Sequence, residues 1–195
     1  GEWFPAGRFL PIAERLGLTS QLDLIAVKLA LAEIQSKGHA QQVSVNISSR
    51  SINDNEFREQ LGILLNTKPE ACKLLWLEIP ESGAFANIDA FRSFHQLIKK
   101  SGCRIGLEHF GRHLEQINLM HDLNLDFVKF DVSFIRNIET VSANQEFLRG
   151  ASAILHRMNL QVIGEGLSSE EEFKTVKKVL MKIAENNLQV LESSQ

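Results

Sequence analysis

The sequence has only two cysteines and no apolar run long enough to cross a membrane. Cys72 and Cys103 form no CxxC pair, which favours buried thiols in a reducing compartment over a disulfide scaffold. A membrane-spanning helix needs about 20 apolar residues in a row. We therefore expect a cytoplasmic segment that is not itself inserted in a membrane.

An excess of positive charge is also missing. The 195 residues carry 21 Lys and Arg against 24 Asp and Glu, a formal charge of -3. This balance provides no broad basic surface for DNA, so an anionic ligand has to be held by a local site. With 44% hydrophobic and 23% charged residues, the composition predicts one globular domain over residues 1–195.

Short apolar runs alternate with longer amphipathic stretches along the chain. The runs predict five buried parallel strands, at 42–47, 74–79, 103–107, 127–130 and 160–163. Between these runs lie stretches with the apolar spacing of amphipathic helices, at 20–36, 53–65, 84–100, 113–123 and 144–158. This order predicts an α/β fold with a parallel sheet, either a barrel or a doubly wound sheet. No GxGxxG or GxxxxGK[ST] loop follows the first strand, which favours the barrel.

Two further segments are predicted to be helical. Residues 4–16 have the pattern of a short helix. In residues 168–187, Ser169 precedes three glutamates and an apolar stripe follows them. This pattern predicts one amphipathic helix over 168–187.

Polar residues stand at or near the ends of the predicted strands, where barrel enzymes carry their chemistry. Lys129 lies 21 residues after Glu108 and 36 before Glu165. The candidate ligand-binding residues are Asn46, Glu78, Glu108, His109, Lys129, Asp131 and Glu165.

The strand-end segments resemble, in order, the motifs of the EAL domain family. They are SVNIS at 44–48, LEIPES at 77–82, GLEHFG at 106–111, VKFD at 128–131 and GEGL at 164–167. The resemblance runs from residue 1 to about residue 172 and includes FLPIAERLGL at 9–18. It implies a modified TIM barrel with parallel strands and surrounding helices, and a relationship to cyclic di-GMP phosphodiesterases.

The resemblance also assigns roles to single residues. Asn46 and Glu78 match ligands of the first divalent metal, and Lys129 matches the lysine beside the attacking water. Glu165 matches the first glutamate of the family's AEGVE motif, whereas Ser168 replaces the second. Glu108 and His109 replace the paired aspartates of the DDFG motif.

These replacements bear directly on catalysis. Two-metal hydrolysis needs carboxylates at fixed positions so that both ions clamp the reacting oxygens. A longer Glu108 and an uncharged imidazole at His109 disturb such a site. We therefore expect no cofactor, with Asn46, Glu78 and Glu108 as vestigial metal ligands and Lys129 and Glu165 as vestigial catalytic residues. Mg²⁺ or Mn²⁺ is expected only if residual activity exists.

Simpler roles are also open for several of these residues. Asn46 and Glu78 have the alternative of bonding to backbone groups at the strand ends. For Lys129, the alternative role is a structural ion pair with Asp131 or Glu165. His109 has the alternatives of a transition-metal ligand or an ordinary hydrogen-bonded residue.

Segments 106–112, 126–131 and 144–150 resemble the degenerate EAL domains of LapD-type receptors. That resemblance implies an inactive receptor domain that binds cyclic di-GMP, in a membrane-anchored regulator of biofilm adhesion at the inner membrane. Its expected partners are adjoining signalling domains of the same protein and a second copy in a homodimer. The alternatives are a protein-interaction module that binds no nucleotide and a weakly active phosphodiesterase.

Some motifs of the family have no counterpart in the sequence. The EAL signature is expected upstream of Gly1, so the first barrel strand is expected to be missing from these residues. The closing QGY motif is not recognisable, and Gln189 or Gln195 is its candidate remnant. We therefore expect a truncated EAL-like domain.

Overall fold

The computed structural model describes residues 5–37, 41–181 and 188–192. Its internal contacts group the chain into two compact units, residues 1–105 and residues 106–195. The organisation of the chain as one domain stays a prediction. No helix in the described ranges is long and apolar enough to cross a membrane.

The first unit contains two strands and several helices. Strand β1 (Val43–Asn46) pairs in parallel with β2 (Leu75–Pro80), and the register places Asn46 beside Glu78. The helices of this unit are α1 (Ala6–Arg15), α2 (Thr19–Lys37), α3 (Ser49–Asn53), α4 (Asn55–Asn66), α5 (Pro69–Cys72), α6 (Glu81–Ala86) and α7 (Ile88–Ser101).

Polar caps set the starts of two helices at positions that differ from the prediction. The Asp54 carboxylate accepts the Phe57 N–H at 3.2 Å, so α4 begins at residue 55 and the short α3 precedes it. The Asn87 side chain accepts the Ala90 N–H at 3.2 Å and separates α6 from α7. Each cap satisfies a backbone donor that a helix start leaves without a partner.

Both cysteines lie in the first unit as buried free thiols. Burial raises the pKa of each thiol, to about 12 for Cys103. The predicted buried thiols are confirmed, and the reducing compartment stays a prediction.

The second unit contains a parallel sheet whose pairing follows chain order. Its strands are β3 (Arg104–Phe110, with its first two residues assigned to the first unit), β4 (Phe127–Phe130), β5 (Gln161–Leu167) and β6 (Leu188–Glu192). Between them lie a 3-10 turn (Leu114–Gln116), α8 (Ile117–Met120), α9 (Val132–Ile135), α10 (Ser142–Arg157) and α11 (Glu170–Met181).

Aromatic side chains fill much of the core of this unit. Phe110 and Phe130 are fully buried and meet edge to face, with ring centroids 5.6 Å apart. Phe147 meets Phe130 edge to face at 6.0 Å and stacks on Phe134 at 4.2 Å. Such pairs stabilise the core by about 0.5–1.5 kcal/mol each beyond the burial of their area.

Two predictions for the second unit were wrong in detail. The helix predicted over 113–123 is a 3-10 turn followed by the four-residue α8, and Met120 is the only buried residue of α8. With so little apolar surface to bury, a longer helix gains little from packing. Strand β6 was not predicted, because a five-residue strand is defined by its long-range pairing with β5. Helix α11 covers part of the predicted 168–187 helix, and residues 182–187 lie outside the described ranges.

Candidate functional site

In the first unit, two candidate residues lie side by side at the carboxyl ends of their strands. Asn46 ends β1 with its side chain exposed, and its register partner Glu78 is 2% exposed in β2. The Ile47 N–H donates to the Glu78 carbonyl at 2.8 Å and continues the ladder past the strand end. The two residues that the sequence singled out are thus register partners on adjacent strands.

A buried aspartate that the sequence analysis missed fixes the loop after Asn46. The Asp23 carboxylate on α2 accepts the Ser48 N–H at 2.8 Å and the Ser51 hydroxyl at 2.6 Å through the same oxygen. Ser48 is also the cap of α3, so one carboxylate anchors both the end of β1 and the start of the next helix. Only the long-range contact reveals this role, because an isolated Asp in a helical pattern carries no such signal.

We expect Asp23→Ala to lower the free energy of unfolding by about 2 kcal/mol, because two donors lose their partner in a buried site. Urea unfolding followed by circular dichroism measures this change. Asp89→Ala is the matched control, since Asp89 is exposed and pairs only at the surface with Arg92. Equal losses in the two variants would contradict the anchoring role of Asp23.

In the second unit, Glu108 and His109 lie in an irregularity of β3. Leu107 pairs with Val128 but Phe110 pairs with Phe130, so β3 holds one extra residue across the Glu108–His109 step. His109 has φ 55°, an uncommon value for a residue other than glycine. Glu108 is consequently buried and His109 exposed. A β-bulge of this kind changes the direction in which the side chains at a strand end point.

Strand β5 has a second irregularity at another candidate residue. Gly164 pairs with Val190 and Leu167 with Glu192, which leaves one extra residue across Glu165 and Gly166. Gly166 has φ 74°, and a Cβ there would lie 2.7 Å from a Val132 methyl carbon. The turn that presents Glu165 therefore needs glycine next to it.

Lys129 and Glu165 form an ion pair across β4 and β5. The Lys129 Nζ lies 3.4 Å from Glu165 Oε2, with side chains 9% and 27% exposed. This contact matches the structural ion pair that the sequence left open for Lys129.

Asp131 is a buried carboxylate held by a backbone amide and a guanidinium. Its side chain is 2% exposed, accepts the Ser133 N–H at 2.9 Å, and lies 3.4 Å from His109 Nδ1. Arg112 donates to both of its oxygens, from Nε at 2.9 Å and from Nη2 at 3.0 Å. Burial opposes ionisation, but the bonds from Ser133 and Arg112 outweigh it and lower the pKa of Asp131 to about 2.

Ser168, which stands where the family has its second late glutamate, is held by a different glutamate. Glu172 on α11 accepts the Ser168 N–H at 2.6 Å and its hydroxyl at 2.9 Å. The other Glu172 oxygen accepts the Asn137 N–H at 2.8 Å. Although burial opposes ionisation, these bonds keep the pKa of Glu172 below its usual range.

We expect stability to fall in acid. The folded pKa values of Asp131 and Glu172 are lowered, so both carboxylates stabilise the fold above their unfolded pKa values near 4. That stability is lost as the pH falls from about 4 towards 2. The midpoint of thermal unfolding should be nearly constant from pH 7 to 5 and drop steeply below pH 4. In Asp131→Asn the drop should be smaller. An unchanged midpoint between pH 5 and 3 would contradict these shifts.

Asp131 and Glu165 are each paired with a cationic side chain of the protein. Both oxygens of Asp131 are taken by a guanidinium, and Glu165 is paired with an ammonium. Within the described ranges, no group of three or more His, Cys, Asp or Glu is placed to hold a metal ion.

Comparison with known proteins agrees with the sequence motifs. Cyclic di-GMP phosphodiesterase PdeF of Escherichia coli (strain K12) is 29% identical over 84% of this chain and 22% of its own length. Cyclic di-GMP phosphodiesterase PdeA of Borreliella burgdorferi is 27% identical over 90% of this chain and 27% of its own length. The chain thus spans about a quarter of these curated relatives.

Solved structures show the same fold. The Xanthomonas citri FimX EAL domain in complex with c-di-GMP has a TM-score of 0.84 and 23% identity, over 92% of this chain and 72% of that one. Vibrio cholerae LapD S helix-GGDEF-EAL bound to c-di-GMP has a TM-score of 0.84 and 18% identity, over 92% and 44%. The EAL domain family model matches residues 1–185. The predicted fold is therefore confirmed, and the chain belongs to the EAL domain family.

Proposed function

We propose that this domain binds cyclic di-GMP without cleaving it and acts as a receptor module in signalling. The observation that carries the proposal is the Glu108–His109 step, where a longer carboxylate and an exposed imidazole stand in place of the paired aspartates of the family. Recognition of a phosphodiester needs donors and a fitting shape, whereas cleavage also needs groups that stabilise the transition state. The FimX and LapD structures support the ligand, since both of those proteins hold c-di-GMP.

Adjoining domains are part of this proposal. The chain spans about a quarter of its curated relatives, so an output would come from other segments of a longer protein. We propose that these are signalling domains of a membrane-anchored regulator of biofilm adhesion, and that the domain works as a homodimer.

A weakly active phosphodiesterase is the second candidate. The names of PdeF and PdeA favour it, as does the retention of Asn46, Glu78 and Lys129. The lost aspartate pair argues against it, because Glu108 is one methylene longer and His109 is exposed in the bulge. Linear dinucleotide formed in the presence of Mn²⁺ would favour this enzyme over the receptor.

Calorimetric titration with cyclic di-GMP tests the receptor. We expect saturable binding by the wild-type domain that is equally strong in Mg²⁺ and in EDTA. Lys129→Met should raise Kd by about tenfold, because a nearly buried ammonium that faces the phosphate is lost. Lys178→Met is the control, since Lys178 is exposed on α11. A flat wild-type trace would favour an interaction module that binds no nucleotide.

A further inference from the structure

Arg112 is not among the candidate ligand-binding residues, yet a bidentate pair attaches it to Asp131, which is one of them. Its guanidinium contacts Asp131 side-on through two parallel N–H···O bonds of 2.9 and 3.0 Å. Bidentate pairs of this geometry are stronger and more directional than single hydrogen bonds. The Asp131 carboxylate is 2% exposed, whereas the Arg112 side chain is 59% exposed. One side of this pair is therefore buried and the other faces solvent.

The backbone at the end of β3 directs Arg112 towards Asp131. His109 and Gly111 both have positive φ, 55° and 112°, and so turn the chain sharply on either side of Phe110. A Cβ on Gly111 would lie 2.9 Å from the Phe134 ring, so this turn is packed against the core. The Asp131 N–H donates to the Phe110 carbonyl at 3.0 Å, which joins the ends of β3 and β4 directly. The position of Arg112 thus follows from the fold.

Asp131 also lies close in sequence to another cationic residue, Lys129. Lys129 precedes Asp131 by two residues at the end of β4, and it is itself paired with Glu165. Two cationic groups are therefore fixed by carboxylates around the end of one strand. A guanidinium has five N–H donors in a fixed planar arrangement. Its planar shape suits a phosphate better than an ammonium does.

We infer that Arg112 is a phosphate-binding residue for cyclic di-GMP and that Asp131 is the residue that positions it. Arg112 then supplies from the protein the positive charge that a metal ion brings in a two-metal centre. The inference rests on the proposed function and adds to it the residue that recognises the phosphodiester. It also requires binding to persist when divalent cations are removed.

Calorimetric titration with cyclic di-GMP in EDTA tests this inference in four variants. Arg112→Gln should raise Kd at least tenfold. Arg112→Lys should raise Kd less, because the positive charge is kept but the two parallel N–H donors of the guanidinium are lost. Asp131→Asn should raise Kd several-fold through loss of positioning. Arg92→Gln should bind like wild type, since Arg92 is an exposed arginine on α7 that pairs with Asp89. The loss in Arg112→Gln should shrink at high salt, because screening weakens the lost attraction.

A purely structural role for Arg112 gives a different result. Arg112→Gln leaves a buried carboxylate without its cation, so the variant is expected to melt at a lower temperature. The double variant Arg112→Gln/Asp131→Asn removes that charge and should recover much of the melting temperature. Its binding should stay weak if Arg112 contacts phosphate. Wild-type Kd in the double variant, or in Arg112→Gln, would overturn the inference while leaving the proposed function intact. A flat wild-type trace would overturn both.

Discussion

Replacing Gly106 by alanine is expected to destabilise the domain by about 3 kcal/mol, the upper end of the range for overpacking a core. Gly106 on β3 is the register partner of Phe127 on β4. A Cβ at residue 106 would lie 2.4 Å from the Phe127 carbonyl oxygen and 2.5 Å from a carbon of its ring. Neither atom can move away easily, because one is strand backbone and the other belongs to a fully buried side chain. The two strands would have to separate next to Glu108.

Urea unfolding of Gly106→Ala measures this loss, and Gly150→Ala is its control. Gly150 lies in α10, and a Cβ added there meets nothing within 4 Å. Alanine at a helix interior is better than glycine by about 1 kcal/mol, so this variant should be more stable than wild type. Opposite signs for the two substitutions are the expected result. A Gly106→Ala protein that unfolds at the wild-type midpoint would show that the strands do not pack as closely as described.

Replacing Glu172 by glutamine is expected to cost about 3 kcal/mol, as for the loss of one partner from a buried charged network. Glu172 is 2% exposed, and its two oxygens accept from the Asn137 N–H, the Ser168 N–H and the Ser168 hydroxyl. Glutamine has a single acceptor oxygen, so its amide nitrogen would face a backbone donor. The loops after α9 and after β5 would both lose their anchor, and the second lies close to Glu165 in sequence.

Thermal unfolding at pH 7 provides the measurement for Glu172→Gln. Glu171→Gln is matched in chemistry and neighbours it in α11, but Glu171 is exposed. Only the Glu172 variant should melt several degrees lower. It should also lose part of the stability difference between pH 5 and pH 3. Similar melting temperatures for both variants would mean that the Glu172 carboxylate does not hold the two loops together.

The sequence predicted the strands and the family well, and the reason is physical. Buried parallel strands are short continuous apolar runs, so each β-strand from β1 to β5 left a local signal. The order of the polar residues after those runs identified the protein family. Strand β6 left no such signal, since it is recognised by its pairing with β5.

The internal contacts of the candidate site were harder to predict. The pairing of Lys129 with Glu165 was foreseen as one of two alternatives, because the family motifs already placed both residues at strand ends. Arg112 with Asp131, and Glu172 with Ser168, were not foreseen. The Arg112–Asp131 contact depends on the bulge at Glu108–His109. The Glu172–Ser168 contact depends on helix α11, which returns to the sheet after β5. A single residue of register shift changes which side chains meet, and no local pattern reports it.

Binding without cleavage is the central claim, and one experiment addresses it directly. The wild-type domain is incubated with cyclic di-GMP and Mg²⁺ or Mn²⁺ under conditions that saturate the site, and the bound nucleotide is recovered and separated by chromatography. We predict that the protein retains cyclic di-GMP and that all of it is recovered as the intact cyclic dinucleotide. Accumulation of the linear dinucleotide in proportion to protein concentration would contradict the claim and identify the domain as a working phosphodiesterase.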